Sequence, residues 1–326
     1  MRVLANDGIS AQALETLRDQ GFEITADHIP QEKLAAYINE HKVVALLVRS
    51  ATTVRKELIE ACPKLKLIDR GGVGMDKLDK AYAKARGLRV INTPASSSIS
   101  VAELVMAHLF SLMRDLYQSN RRMPAEGSSA EAFKAMKKTY GKGSEMRGKT
   151  LGIVGFGRIG QWVARYAVGN GMKVIYTDNH ATADNLEVQV NGDSVRVGIR
   201  MMELDELLAK SDAITLHVPA TKDGSPVLGD REFGLMRKGV VIVNTARGNS
   251  LDEDALLKAL NSGHVRAAGL DVYANEPTPR ADLLAHPHVS LSPHIGAATG
   301  EAQDRIGDEL ADLLIAWRDE VTVGRG

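Results

Sequence analysis

Apolar residues recur in short runs separated by stretches of helical periodicity, an alternation that predicts a parallel α/β architecture. In the first third, residues 3–4, 43–48, 65–68 and 88–91 read as strands, and 11–20 and 58–61 as helical. The stretch Asn92-Thr-Pro94-Ala-Ser-Ser-Ser is rich in turn formers, so it ends an element and caps a long helix expected from about 101 to 120. A domain crossing is placed there. Residues 121–142 are polar and too mixed to be called disordered. Beyond Thr150 the pattern restarts with strands at 151–154, 174–176, 213–217, 240–244, 267–271 and 289–291, six strands as in a full dinucleotide-binding domain. Residues 186–197 alternate around Asn191-Gly192 and predict an inserted hairpin. Helical periodicity returns at 201–210. A last helix over 300–317, with Ile306, Leu310, Leu313, Leu314 and Trp317 on one stripe, is expected to return to the first domain.

Composition narrows the picture. A chain of 326 residues suits two domains. Lys plus Arg equals Asp plus Glu at 41 each, so no net field draws the chain to nucleic acid or to a membrane, and a small-molecule partner is expected. The single cysteine, Cys62, cannot form an internal disulfide and reads as a buried, inert thiol in a reducing compartment. Asp7 falls where a signal peptide needs its apolar region, and no apolar run reaches about 18 residues, so a cytoplasmic location is expected.

The most specific chemistry lies in Leu151-Gly-Ile-Val-Gly155-Phe-Gly157-Arg158-Ile159-Gly160, a strand running through a glycine turn into a helical pattern. Gly155 permits the tight turn, Gly157 lets backbone approach a pyrophosphate, and Gly160 lets the helix pack on the strand. The helix from about 158 to 170 aims its free N–H groups at the anion. Asp178 ends the next strand at the spacing of a carboxylate that binds the adenosine ribose hydroxyls. It would repel a 2′-phosphate, so NAD is the expected cofactor. The alternative is that Asp178 only begins a turn.

Three further signals follow later strands, where an open α/β sheet places its ligand crevice. Arg247, in Asn244-Thr-Ala-Arg247-Gly, can hold a carboxylate through two parallel hydrogen bonds and polarise a carbonyl; in isolation it would read as a solvated loop residue. Glu276 follows one strand and His294 another, and a histidine tuned by a carboxylate exchanges protons near neutral pH. His286, His288 and His294 do not make a metal set, because no cysteine or clustered carboxylate completes one.

Taken in order, GFGRIG, NTARG, GLDVYANEP and SPHIGAAT resemble the D-isomer-specific 2-hydroxyacid dehydrogenase family over nearly the whole chain. The resemblance implies two Rossmann-like, doubly wound parallel-sheet domains, with an NAD-binding domain (98–295) inserted into a substrate domain (1–97 and 296–326). It implies that Arg247 binds the substrate carboxylate and carbonyl, that His294 is the acid/base, and that Glu276 holds and tunes it. By the same resemblance Gly155, Gly157, Arg158, Ile159, Gly160, Asp178, His217, Val218, Pro219, Thr245, Ala246, Asp271 and Gly296 contact the cofactor, with Asp271 near the nicotinamide and 217–219 lining the adenine pocket. A homodimer through the helix from Val101 is also implied, although a wide core-facing helix carries the same apolar pattern.

Within the family, Val48-Arg49-Ser50-Ala-Thr52 and Arg70-Gly-Gly-Val73-Gly74-Met-Asp76 resemble the phosphoglycerate-oxidising branch. The glycines would let the N–H groups of Val73 and Gly74 grip a carboxylate, while Arg49, Ser50 and Arg70 would serve a phosphate. One of the two arginines could instead pair with an internal acid such as Asp69. Where that branch carries a further basic residue, this chain has Lys134, Lys137 and Lys138, and which of them contributes is open. The chain stops soon after the last helix, so a serine-binding regulatory domain and feedback by serine are not expected. The alternatives are another 2-hydroxy acid, such as glyoxylate, hydroxypyruvate or a D-lactate-like acid, or an NAD-sensing protein of the same fold.

Overall fold

Four consecutive buried side chains, as in Ala45–Val48, need apolar neighbours on both faces, and a parallel sheet covered on both sides supplies them. The computed structural model describes residues 1–221 and 223–323 and contains two such sheets, each in its own unit. One unit combines Met1–Ser98 with the chain from Ala297 on, and the other is Ile99–Gly296. Residues 324–326, which the expected terminal segment includes, lie outside the described residues.

The first unit runs β1 (Arg2–Ala5), α1 (Ala11–Asp19), β2 (Glu23–Thr25), α2 (Gln31–Glu40), β3 (Ala45–Val48), α3 (Lys56–Ala61), β4 (Leu67–Arg70), α4 (Lys80–Ala85) and β5 (Arg89–Asn92). Its strands are parallel in the order β2-β1-β3-β4-β5. Leu17 of α1 and Ile306, Leu310, Leu314 and Trp317 of the C-terminal helix, Gly300–Val323, bury one face. Leu34, Ile38, Leu58 and Ile59 bury the other. Cys62 is buried in this second cluster, and desolvation pushes its thiol up to about 11.

The second unit continues α5 (Ser98–Met113), α6 (Leu116–Glu126), α7 (Ala130–Tyr140), β6 (Thr150–Val154), α8 (Arg158–Gly169), β7 (Lys173–Thr177), β8 (Asn185–Val190), β9 (Asp193–Gly198), β10 (Arg200–Met201), α9 (Leu204–Lys210), β11 (Ala213–Leu216), α10 (Asp230–Leu235), β12 (Val240–Asn244), α11 (Glu253–Asn261), β13 (Val265–Leu270), α12 (Ala281–Ala285) and β14 (Val289–Leu291). Seven parallel strands take the order β10-β7-β6-β11-β12-β13-β14. β8 and β9 form the separate antiparallel hairpin.

The structure corrects the sequence reading in four places. The long helix is two helices, because Asp115 adopts a left-handed conformation (φ 51°) just after the apolar stripe ends at Met113. Residues within 121–142 are helical, as the end of α6 and as α7, held by few buried side chains such as Tyr117 and Met136. The sheet has a seventh strand, β10, and Met201 belongs to it rather than to a helix. β2, α2 and α4 carry too few apolar residues to stand out: α2 buries only Leu34 and Ile38.

Asp69 is fully buried on β4, and neither carboxyl oxygen has a hydrogen-bond partner, so it is not the partner of an arginine. Burial, then the charge of Glu309, holds its carboxyl well above the usual carboxylate range. The folded state therefore keeps a proton that the unfolded chain releases near pH ~4. Asp69 costs nothing below that pH, and stability declines as pH rises toward its raised value, at a slope approaching about 1.4 kcal/mol per pH unit. Asp69→Asn should melt close to the parent at pH 4.5 and progressively above it at pH 6 and 7.5. A melting gap independent of pH would contradict this account.

Candidate functional site

The glycine turn is built as the sequence predicts. Gly155 closes β6 at φ 95°, and a Cβ there would lie 2.6 Å from the carbonyl oxygen of His217. A Cβ on Gly160 would lie 2.3 Å from the carbonyl oxygen of Gly155, so only glycine lets α8 pack this closely. At Gly157, the N-cap of α8, an added Cβ meets nothing within 4 Å, and no side chain caps the helix. Open space in front of uncapped N–H groups, at the positive end of the helix dipole, is an anion cradle. Arg158 is exposed on the first turn, and Ile159 packs against the core.

Asp178, just after β7, accepts from the N–H groups of Phe156 (2.6 Å), His180 (2.7 Å) and Ala181 (2.8 Å). Burial opposes its ionisation, but these donors outweigh it and hold the carboxyl below its ordinary range. It thus both begins a turn and braces the glycine loop through Phe156. Next along the sheet, Nε2 of His217 lies 3.0 Å from Oγ1 of Thr215, while its buried Nδ1 and the buried hydroxyl of Thr245 have no partner. Burial pushes the His217 imidazole down to about 3, so it is neutral. His217 and Thr245 follow β11 and β12, successive neighbours of β6, and unsatisfied buried groups there fit a ligand that supplies hydrogen bonds. Val218 and Ala246 are packed into the core beside them, and Pro219 is exposed.

The loops after β12, β13 and β14 are tied into one frame. Asn244, fully buried, donates from its amide to the carbonyl of Arg247 (2.8 Å) and accepts from Ala246 N–H (3.0 Å), while its carbonyl accepts from Asp271 N–H (3.0 Å). The Arg247 guanidinium bonds the carbonyl of Ala246 at 2.7 Å. Gly248 lies so close to the next loop that a Cβ would fall 1.9 Å from the carbonyl carbon of Tyr273.

Glu276 accepts from Tyr273 N–H through Oε1 (2.9 Å), which leaves Oε2 for Nδ1 of His294 at 2.7 Å. The His294 side chain is 54% exposed, so its far nitrogen is accessible. His294 itself is left-handed (φ 54°). Asp271, expected near the nicotinamide, is 1% exposed and accepts from Ser292 O–H (2.6 Å), Ile295 N–H (2.9 Å) and Gly296 N–H (2.9 Å).

In the first unit, Asp7 organises the Arg49 loop, accepting from Arg49 N–H (2.6 Å), Ala51 N–H (3.2 Å), Thr52 N–H (3.0 Å) and Thr52 O–H (2.5 Å). Ser50 lies on the same loop. Arg49 lines a cavity of about 270 Å³ with Gly8, Ser10, Gln303 and Asp304, and a second of about 430 Å³ with Asp7, His28 and Ser50. Both lie at the carboxyl ends of β1 and β3, where the strand order reverses. Burial lowers the Arg49 pKa and the charge of Asp7 partly offsets this. Arg70 folds back onto the carbonyl of Gly71. Asn92 donates to the carbonyls of Gly72 and Val73 (3.3 Å each), fixing a loop whose Val73 and Gly74 N–H groups take no acceptor among the described residues. The sequence did not mark Asp7, Ser10, Asn244, Tyr273, Ser292 or Gln303 as site residues.

Among the described residues, no helix is long and apolar enough to cross a membrane, and no group of His, Cys, Asp and Glu could hold a metal ion. A glycine turn, a carboxylate one strand on, and a His–Glu pair at the strand ends define a nicotinamide-dependent dehydrogenase fold. The chain belongs to the D-isomer specific 2-hydroxyacid dehydrogenase family, whose NAD binding domain matches residues 106–296. It is 40% identical over 317 residues to the hydroxypyruvate reductase of Thermotoga maritima, covering 96% of this chain and 97% of that protein. It is 39% identical over 330 residues to the D-3-phosphoglycerate dehydrogenase of Mycobacterium tuberculosis, covering 99% of this chain but 59% of that one, and so spans little more than half its length. A solved D-lactate dehydrogenase from Aquifex aeolicus, complexed with NAD and lactic acid, aligns with a TM-score of 0.76 at 28% identity, covering 98% of this chain and 96% of that chain.

Proposed function

We propose that this protein oxidises the C2 hydroxyl of 3-phospho-D-glycerate to give 3-phosphohydroxypyruvate, the first step of serine biosynthesis, as a cytoplasmic homodimer. The His294–Glu276 contact of 2.7 Å carries the reading of the reaction, because it commits Nδ1 to the carboxylate and leaves Nε2 to take the hydroxyl proton. Arg247, steadied by Asn244, binds the substrate carboxylate and polarises the developing carbonyl. NAD, when bound, would supply the acceptor for the C2 hydride. The N–H groups beside Gly157, Asp178 at the ribose, and residues 217–219 and 245–246 would hold it. The unit Ile99–Gly296 is thus the cofactor domain and the other the substrate domain. Phe110, Leu116, Met123 and Phe133, exposed apolar residues of α5, α6 and α7, support the dimer.

Arg49 supports a phosphorylated substrate: it makes no ion pair among the described residues and lines a cavity with Ser10 and Gln303. Val73 and Gly74 offer N–H groups to the carboxylate, with Arg70 beside them. Arg49→Ala should weaken kcat/KM for 3-phosphoglycerate by roughly 10- to 100-fold, the worth of charge-assisted hydrogen bonds, and that for hydroxypyruvate far less. Equal losses on both would remove the phosphate reading. The second reading is hydroxypyruvate reduction, favoured by the near-complete mutual coverage with the Thermotoga enzyme. A parent enzyme that prefers hydroxypyruvate over 3-phosphohydroxypyruvate would establish it.

A further inference from the structure

His108 lies on α5, far in sequence from the site, and is 5% exposed. Its Nδ1 is 3.1 Å from the hydroxyl of Ser290 and its Nε2 3.0 Å from the hydroxyl of Ser292. Ser292 has one proton, and gives it to Oδ1 of Asp271 at 2.6 Å. Nε2 of His108 must therefore be the donor to Ser292, which leaves Nδ1 to accept from Ser290. With the ring neutral, the chain of bonds has one direction, Ser290 to His108 to Ser292 to Asp271. Burial lowers the imidazole pKa in the same sense, although the charge of Asp271 acts against it.

The last member of this chain grips the turn that carries His294. Asp271 receives the N–H groups of Ile295 and Gly296, the two residues after the left-handed His294, and Ser100 donates to the carbonyl of Gly296 at 2.7 Å. A histidine at positive φ is held there only if its surroundings over-determine the turn. Gly269 makes room for the ring, since a Cβ there would come within 2.9 Å of it.

We propose that His108 is a positioning residue for His294: by fixing the Ser292 hydroxyl it orients Asp271, and Asp271 holds the turn that presents the catalytic imidazole to Glu276. The inference rests on the assignment of His294 as the acid/base. His108→Leu removes both bonds at similar volume, and His108→Gln retains one donor and one acceptor.

In the holoenzyme, His108→Leu should lower kcat by about 10- to 100-fold, as a displaced acid/base does, with NAD affinity and substrate KM within about threefold of the parent. His108→Gln should restore part of the loss. Ser292→Ala, which is less disruptive to folding, should reproduce the defect, and adding His108→Leu to it should cost little more, because both break one chain. The His294 ring resonances, followed by NMR at one fixed pH in the protein without substrate, should shift in His108→Leu. An unchanged kcat together with unchanged His294 resonances in either folded variant overturns the proposal, as does a loss of kcat that merely tracks the unfolded fraction. A parent-like rate in His294→Ala would instead overturn the acid/base assignment itself, and this inference with it.

Discussion

His294→Ala should lower turnover by roughly 10²- to 10⁴-fold while leaving NAD affinity within a small factor of the parent, the range over which a positioned acid/base acts. The reason is local. Glu276 is committed at one oxygen to Tyr273 N–H and at the other to His294, which leaves the far nitrogen of the half-exposed ring to take the substrate proton. Glu276→Gln provides the graded version: it keeps the shape but removes the carboxylate that fixes the tautomer and orientation of His294, so the loss should be smaller. Steady-state kinetics with a parallel NAD titration decides it. Parent-like turnover in His294→Ala would withdraw the assignment.

The second large effect is expected at Gly155. A valine there meets two independent penalties: a β-branched side chain at φ 95°, worth about 1–3 kcal/mol, and a Cβ 2.6 Å from the His217 carbonyl, where overpacking costs a further ~1–3 kcal/mol. Relief requires the loop after β11 to move, and that loop carries residues assigned to the adenine pocket. Gly155→Val should therefore both lower the melting temperature by several degrees and weaken NAD binding by more than about tenfold. Calorimetry with and without NAD separates the two. A variant that melts lower yet binds NAD as well as the parent would show that the turn is structural only.

What could be read from the sequence was what is local in it. Strands such as Thr150–Val154 and Val240–Asn244 announce themselves because each is a continuous apolar run, and the glycine turn because its demands fall within six residues. Arg247, Glu276 and His294 were found through motifs that each surround one residue. The frame behind them was not legible. His108 meets Ser292 across 184 residues and Asp7 meets Thr52 across 45, and nothing in either segment marks the partner. Asp271 illustrates the cost: the motif identified it, but only its three donors reveal that it faces inward. The break at Asp115 escaped because a left-handed residue need not be glycine, and α6 and α7 because polar helices with few buried side chains have weak periodicity.

The first unit is closed by a helix that is made only after the whole of the second unit. Leu17, Leu47 and Leu67 are covered by side chains from 306 to 317, and about 200 residues of the second unit must be synthesised before that cover emerges. At ordinary translation rates the nascent sheet spends on the order of 10–40 s with one apolar face open, long enough for the inserted unit to finish folding first. Until the closing helix arrives the early chain exposes that face, and small losses at Ile306, Leu310 or Leu314 would be felt as lower yield of soluble protein before they are felt as slower catalysis.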